Sequence, residues 1–265
     1  MKLKWGKEKI YRNKNWLEDK YVGEKLTIAR IGELCDLSYT VIWKWLNRLK
    51  IPIRSRGEAQ HLSRGNNCNL SIEAIHWLYG ELLGDGCLEA CSPYSARVHY
   101  ASKYKEYAQY VSDKLKFFGI KRSGKIYKQY IKKDNCYIYS YNSLSYAELL
   151  TIRKKWYPDG KKIVPRDIVL TPLVCRQWYI GDGCLTHPKN ARPSIILSTD
   201  CFLQKDVNWL IKQLINLGFK ATRQKSNNRL RISSYSTKYF IDYIGRCPVE
   251  CYKYKWDYNK KGGKV

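Results

Sequence analysis

Residues 71–88 read SIEAIHWLYGELLGDGCL, and residues 171–185 read TPLVCRQWYIGDGCL. The first is an apolar run that closes on a single carboxylate, and the second repeats that ending about a hundred residues later. Ser71 and Thr171 stand where N-caps belong, and Pro172 fits the first helical position, which needs no backbone N–H. Ile75, Leu78, Tyr79, Leu82 and Leu83 recur at helical spacing, as do Val174, Trp178 and Ile180, so both runs are expected to be largely buried helices. A glycine at each C-terminal end lets another backbone come close. Packed against each other, the helices would bring Gly84 to Gly181 and release Asp85 and Asp182 side by side.

Two adjacent carboxylates repel unless a proton or a cation stands between them. The negative end of each helix macrodipole adds to that pressure. A hard divalent ion relieves it, and carboxylate, carbonyl and water are the ligands Mg²⁺ prefers. One Gly-Asp-Gly alone reads as a turn after a core helix. Two copies in matching context, in a strongly basic chain, point instead to function.

The chain has 265 residues, with 49 Lys plus Arg against 23 Asp plus Glu, a net charge of +26. Such an excess repels itself, and a polyanion would relieve it, nucleic acid first of all. The surplus is spread through the chain: 15 basic against 7 acidic residues through position 70, 14 against 9 over 71–160, and 20 against 7 beyond. Interleaved with 23 Tyr and 9 Trp, most of the Trp serving as core, it has the composition of a folded binding surface. The ten Cys form no C-x₂-C pair, and Cys87/Cys91 and Cys247/Cys251 lack partners at zinc-finger spacing, so reduced and mostly buried thiols are expected. No signal peptide, transit sequence or twenty-residue apolar run is visible, which predicts a soluble, cytoplasmic protein without a membrane partner.

Residues 1–53 are read as a small helical module. A first short helix ends at 15–21. The next begins near Thr27 with Ile28, Ile31 and Leu34 inward, a tight corner follows at 35–38, and Ser38 caps a helix over 39–49. Gly32 and Asp36 stand where a helix-turn-helix places its small residue and its turn glycine, a partial match. With Val41, Ile42, Trp45 and Leu46 inward, Tyr39, Thr40, Trp43, Lys44, Asn47 and Arg48 are left for a major groove. A helical bundle without a ligand has the same pattern. Residues 54–69, with Arg54 and Arg56, read as a basic linker; it can lie in a groove, and solvation explains its charge equally well.

Beyond the first Gly-Asp-Gly, strands are expected at 87–91, 97–102, 125–131 and 136–141, with helices over 103–118 and 143–156. The second half repeats this with strands at 194–199, 220–224 and 229–233 and helices at 204–217 and 236–244. Asp85 to Gly119 is 34 residues and Asp182 to Gly218 is 36, the mark of a duplicated α/β unit. Each half also carries Lys after its last helix, in Lys161-Lys162-Ile163-Val164-Pro165 and Tyr252-Lys253-Tyr254.

The helix ending Leu78-Tyr79-Gly80-Glu81-Leu82-Leu83-Gly84-Asp85-Gly86 resembles the signature of the LAGLIDADG homing endonucleases. Trp178-Tyr179-Ile180-Gly181-Asp182-Gly183 resembles the second copy in their single-chain members. The likeness covers roughly residues 69–257 and includes the KKIVP stretch, the LTP entry to the second helix and the Tyr-Lys near the C-terminus. It implies an α+β fold: two pseudo-symmetric αββαββα halves, at 70–165 and 166–265, forming a saddle whose sheets lie along DNA. It implies two or three divalent ions, Mg²⁺ in the first place, at Asp85 and Asp182 with Gly84 and Gly181 lending carbonyls, and basic active-site residues at Lys162 and Lys253 that stabilise charge or organise water. Gln177 stands where the family often has a small residue, so a lopsided helix interface is expected.

These features together predict a monomeric, site-specific double-strand DNA endonuclease that makes one cut per strand, and the resemblance implies cuts across the minor groove that leave short 3′ overhangs. The rival is a non-cleaving nucleic-acid binder on the same scaffold, a transcription regulator or an intron maturase. Strands of about ten residues at about 3.3 Å each would span about one turn of B-DNA, so two sheets would address roughly 20 base pairs. Lys125, Tyr127 and Gln129 share one strand face, and Arg229, Arg231 and Ser233 another, with Arg97, Arg223 and Lys225 as further DNA contacts. Which face meets DNA is left open, and solvent-facing polarity explains any single one of them.

Overall fold

The computed structural model describes residues 9–59, 66–189 and 191–258. The chain forms two compact units, Met1–Asn66 and Asn67–Val265.

In the first unit, Asn13 caps α1 (Lys14–Glu18) by accepting the Trp16 N–H at 3.2 Å. Thr27 does the same for α2 (Ile28–Cys35), accepting from Arg30 at 3.1 Å. α3 (Tyr39–Arg48) follows a corner in which Asp36 takes the left-handed conformation, φ 59°. A side chain on Gly32 would start 2.6 Å from the Leu37 carbonyl oxygen, so only glycine lets α2 close on that corner. Leu17, Tyr21, Ile28, Ile31, Ile42, Leu46 and Ile51 form the core, and Val41 and Trp45 are half-buried. Part of the stretch expected to be linker belongs to this unit. Arg54 donates to the Leu26 carbonyl at 2.8 Å and to that of Tyr21, its guanidinium lying 3.9 Å from the Tyr21 ring centre. Residues 56–59 form a helical turn, and residues 60–65 lie outside the described residues.

The second unit is built on two helices, α4 (Ile72–Leu83) and α7 (Pro172–Asp182), capped by Ser71 and Thr171, whose hydroxyls accept from Ala74 and Val174 at 3.1 and 3.3 Å. After α4 come β1 (Cys87–Ser92), β2 (Ser95–Ser102), α5 (Lys105–Phe117), β3 (Tyr127–Ile131), β4 (Cys136–Asn142) and α6 (Ala147–Trp156). After α7 come β5 (Gly183–Thr186), β6 (Ser194–Leu197), α8 (Gln204–Asn216), β7 (Ala221–Arg223), β8 (Leu230–Ile232) and α9 (Ser234–Ile244). Each half has an antiparallel four-stranded sheet, in orders β1-β2-β4-β3 and β5-β6-β8-β7. The expected α+β fold of two αββαββα halves is therefore present. One hydrophobic core runs through both, including Trp77, Trp156, Trp178, Tyr107, Tyr179 and Phe240. Among the described residues no helix is long and apolar enough to cross a membrane.

Several local expectations need correction. The sequence pattern does not predict β5, because a four-residue strand that opens on the motif glycine has too few alternating positions to read. Nor does it predict the 3₁₀ helix at Glu250–Trp256. The strands are three to eight residues long, not about ten. At about 3.3 Å per residue, β8 spans roughly 10 Å and β2 roughly 26 Å, so neither covers a full DNA turn. The cysteines are all free thiols, but only Cys68 and Cys175 are buried.

The α4–α7 contact is as lopsided as Gln177 implies. A Cβ on Gly80 would lie 2.6 Å from the Val174 carbonyl oxygen and 2.7 Å from the Gln177 Cβ. Gly80→Ala is therefore expected to force the helices apart and to cost about 1–3 kcal/mol, the usual toll of overpacking. A thermal melt checks this. An unchanged Tm would show that the helices can shift at no cost.

Candidate functional site

At their C-terminal ends α4 and α7 nearly touch. A Cβ placed on Gly84 would be 3.3 Å from the Gly181 Cα, and one on Gly181 would be 2.9 Å from the Asp85 nitrogen and 3.5 Å from the Asp85 Cγ. Asp85 and Asp182 thus emerge together, as the helix pattern predicts. Asp85 is exposed and Asp182 half-buried, and among the described residues neither carboxylate accepts a hydrogen bond. Asp85 keeps a solvent-facing edge, so its burial is one-sided; burial still raises its pKa, against the pull of Lys255 and Lys162. Asp182 is pushed up to about 7, by burial first and then by the charge of Asp85.

Below the carboxylates, Lys162 Nζ donates to the carbonyls of Gly84 at 3.3 Å and Gly86 at 3.2 Å. Its counterpart in the other half is Lys255, not Lys253. Lys255 Nζ donates to the carbonyls of Ile180 at 2.5 Å and Gly181 at 3.1 Å, while Lys253 is exposed and pairs with Glu250 at 2.5 Å. The reason is the 3₁₀ helix, whose period of three puts Tyr252 and Lys255 on its buried face and turns Lys253 outward. Tyr179 fixes that face from below by donating to the Lys255 carbonyl at 2.5 Å. Burial lowers the pKa of both ammonium groups, and the nearby Asp85 and Asp182 oppose it. Both positive charges sit at the negative ends of helices, where the macrodipole favours them.

The site suits a hard divalent ion. Two carboxylates without hydrogen-bond partners meet at the ends of two helices, with the Gly84 and Gly181 carbonyls close by; each of these carbonyls already accepts from a lysine and has a second lone pair. Among the described residues no group of three or more His, Cys, Asp or Glu side chains is placed to hold a metal, so an ion bound here would rest on Asp85, Asp182, backbone carbonyls and water.

One turn before Asp85, Glu81 is buried in the helix interface and accepts from the Tyr107 hydroxyl at 2.8 Å. Burial pushes its pKa up to about 8, which keeps it largely protonated at neutral pH.

The sheets carry the remaining candidates. In the first, Leu88, Val98, Tyr100 and Tyr141 face the core, and strand alternation and register put Arg97, His99, Asn142, Tyr127 and Gln129 on the opposite, open face. Arg97 is paired there with Glu89 at 2.8 Å. Lys125 is exposed but precedes β3. In the second sheet Arg231 and Thr222 share the open face, opposite Leu230, Ile232 and Ala221. Three candidates are corrected. Arg223 alternates to the helix side and is half-buried, Ser233 stands at the N-cap position of α9 with its hydroxyl buried and making no capping bond, and Arg229 lies outside β8, paired with Asp200 at 3.0 Å. Lys225 is exposed in the β7–β8 turn.

In the first unit Tyr39, Thr40, Trp43, Lys44, Asn47 and Arg48 are exposed along α3, as is Arg56. Arg54 is excluded as a free contact by its two carbonyl bonds within that unit.

Residues 75–240 match the model of the LAGLIDADG DNA endonuclease family. The chain belongs to that family. A relative, the uncharacterized protein MJ1098 of Methanocaldococcus jannaschii, is 28% identical over 62% of this chain and 65% of its own length. The cytochrome b mRNA maturase bI2 of Debaryomyces hansenii is 24% identical over 69% of this chain and 71% of its own. The chain thus spans about two thirds of each. Among solved structures, the homing endonuclease I-WcaI bound to its DNA recognition sequence superimposes with a TM-score of 0.62 at 18% identity, covering 81% of this chain and 98% of that one. This last likeness is one of fold: the two-motif LAGLIDADG architecture is shared.

Proposed function

We propose that this LAGLIDADG protein is a monomeric, Mg²⁺-dependent endonuclease that cuts both strands of duplex DNA at a long asymmetric site. The observation that carries the reading is the pairing of Asp85 with Asp182 at two touching helix ends, flanked by one lysine from each half. Bound divalent ions would supply an activated water, neutralise charge on the phosphate and stabilise the leaving 3′ oxygen. Asp85 and Asp182 would hold them between the two helix ends, where one carboxylate from each half serves the cutting of both strands. Each lysine ammonium has three N–H donors and spends two on backbone carbonyls; the third is free to meet a phosphate oxygen as charge builds in the transition state. Arg97, His99, Tyr127 and Gln129 in one sheet and Thr222 and Arg231 in the other present donors and acceptors to base edges.

The reading is tested by recovering a duplex that the protein binds from a randomised pool and then adding Mg²⁺. The expected result is one cut per strand with a short 3′ overhang and no cutting in chelator. A duplex held but uncut in Mg²⁺ would favour the second reading, a non-cleaving regulator or maturase, for which the maturase relative speaks.

For the first unit we propose groove contact through the exposed face of α3 in the manner of a helix-turn-helix. Removing residues 1–60 is then expected to shorten the footprint on one side and to flatten the salt dependence of affinity, because fewer phosphates are neutralised. Cutting at saturating protein should survive. An unchanged footprint and slope would contradict this use of the unit.

A further inference from the structure

The 3₁₀ helix that bears Lys255 bonds to a helix of the first half, and the inter-half segment that bears Lys162 bonds to a helix of the second. Glu106, in the first turn of α5 and so in the first half, accepts the backbone N–H groups of Glu250 at 2.7 Å and Cys251 at 3.1 Å. These two residues open the 3₁₀ helix that bears Lys255. Tyr104 and Tyr107 of the first half also pack edge-on against Tyr252, at 5.2 and 5.0 Å between ring centres. On the other side Asp206, in the first turn of α8 and so in the second half, accepts from the Arg166 guanidinium at 2.7 Å. Arg166 follows Lys162 by four residues in the segment that joins the halves, and its guanidinium lies 5.4 Å from the Trp209 ring centre. Phe202, again of the second half, lies 5.7 Å from Lys162 Nζ.

The two braces occupy nearly the same place in the repeat. Glu106 is 13 residues before Gly119, and Asp206 is 12 before Gly218. Both carboxylates stand in the first turn of a helix, where the macrodipole holds an anion in place. Asp206 is 1% exposed, so its contact with Arg166 is shielded from solvent on the acid's side.

We propose that Glu106 and Asp206 are positioning residues that seat, crosswise, the active-site lysine of the opposite half. Docking of the halves through α4 and α7 then also completes the seating of Lys162 and Lys255, so the two strand cuts become competent together. The consequence for cutting rests on the endonuclease reading; the seating itself does not.

The test uses the full-length chain carrying Glu106→Ala, Arg166→Met or Asp206→Asn. Glu106 and Arg166 are solvent-facing, so their variants keep the core intact even where Asp206→Asn fails to fold. Limiting acetic anhydride followed by mass spectrometry reads the reactivity of each lysine. Glu106→Ala is expected to raise labelling of Lys255 several-fold and leave Lys162 unchanged, and Arg166→Met and Asp206→Asn to do the reverse. On a recovered duplex, each variant should lower the single-turnover maximum chiefly on one strand, Glu106→Ala on the opposite strand from the other two, with duplex affinity in Ca²⁺ unchanged. Equal labelling of both lysines in every variant, or no change in either, would overturn the proposal. Crossed labelling in a protein that cuts no DNA would sink the endonuclease reading and leave the seating standing.

Discussion

Replacing Asp85 or Asp182 with asparagine is expected to slow cutting of both DNA strands, each by about 10³-fold, because either change removes an anion from a site the halves share. Asparagine keeps the shape of the side chain, so the α4–α7 contact should survive. If each aspartate served only its own strand, a single variant would nick efficiently, and a strand-resolved assay would show one rate intact. The closeness of the Asp85 Cγ to the Gly181 backbone argues for the shared case.

The same variants have a stability readout without metal. Asp182 is an acid whose pKa is pushed up to about 7 in the folded chain from an ordinary 3.8, so between these pH values the folded state holds more protons than the unfolded one. The penalty that Asp182 places on the metal-free fold is then absent below about pH 4 and grows as pH rises towards 7. Asp182→Asn should remove the share of that decline that Asp182 carries and leave the share of Glu81, so its melting temperature above pH 7 should equal or exceed the parent's. A parent whose Tm is flat from pH 4 to 7 in chelator would show that Asp182 is not strained by its setting.

Lys255→Met and Lys253→Met separate two lysines that sequence spacing alone does not distinguish. Lys255→Met should lower the cutting rate at saturation by about 10²-fold while duplex affinity in Ca²⁺ holds, since the charge acts on the developing phosphate charge and not on ground-state binding. It also leaves the Ile180 and Gly181 carbonyls without their ammonium, so a modest loss of Tm belongs to the same expectation. Lys253→Met removes only an exposed pair with Glu250 and should leave rate and Tm near the parent's. The reverse ranking would restore Lys253 to the site. Lys162→Met should resemble Lys255→Met.

What was legible in the chain was whatever local spacing controls. Ser71 and Thr171 announce their helices, the two Gly-Asp-Gly endings announce the meeting of α4 and α7, and Gln177 opposite Gly80 announces the uneven contact. What was not legible depends on long-range packing or on a change of helical period. Lys255 is buried because a 3₁₀ turn, stitched to Glu106 and stacked on Tyr104 and Tyr107, rotates it inward, and a reading of Tyr-Lys-Tyr cannot see the partner. Arg54 and Arg229 look like free cations in sequence; each is occupied by groups far away along the chain. Ser233 passes for a strand residue until the helix after it is seen to begin one residue later. The ten cysteines suggested buried thiols by type, yet Cys87 and Cys184, each two residues after an aspartate, fall on the open faces of β1 and β5. Short strands explain that failure as well, since β5 is four residues long and carries too little alternation to show which side is out.

The central claim is that Asp85 and Asp182 form one metal-dependent cutting site between two halves. Its most direct measurement is the strand-resolved cutting of a supercoiled plasmid carrying a recovered site, by the parent and by the Asp85→Asn, Asp182→Asn double variant, in buffered Mg²⁺ and in chelator. The expected result is linear product from the parent in Mg²⁺ alone, with neither strand cut by the double variant although it still binds the site. Cutting of both strands by the double variant at the parent's rate would contradict the account.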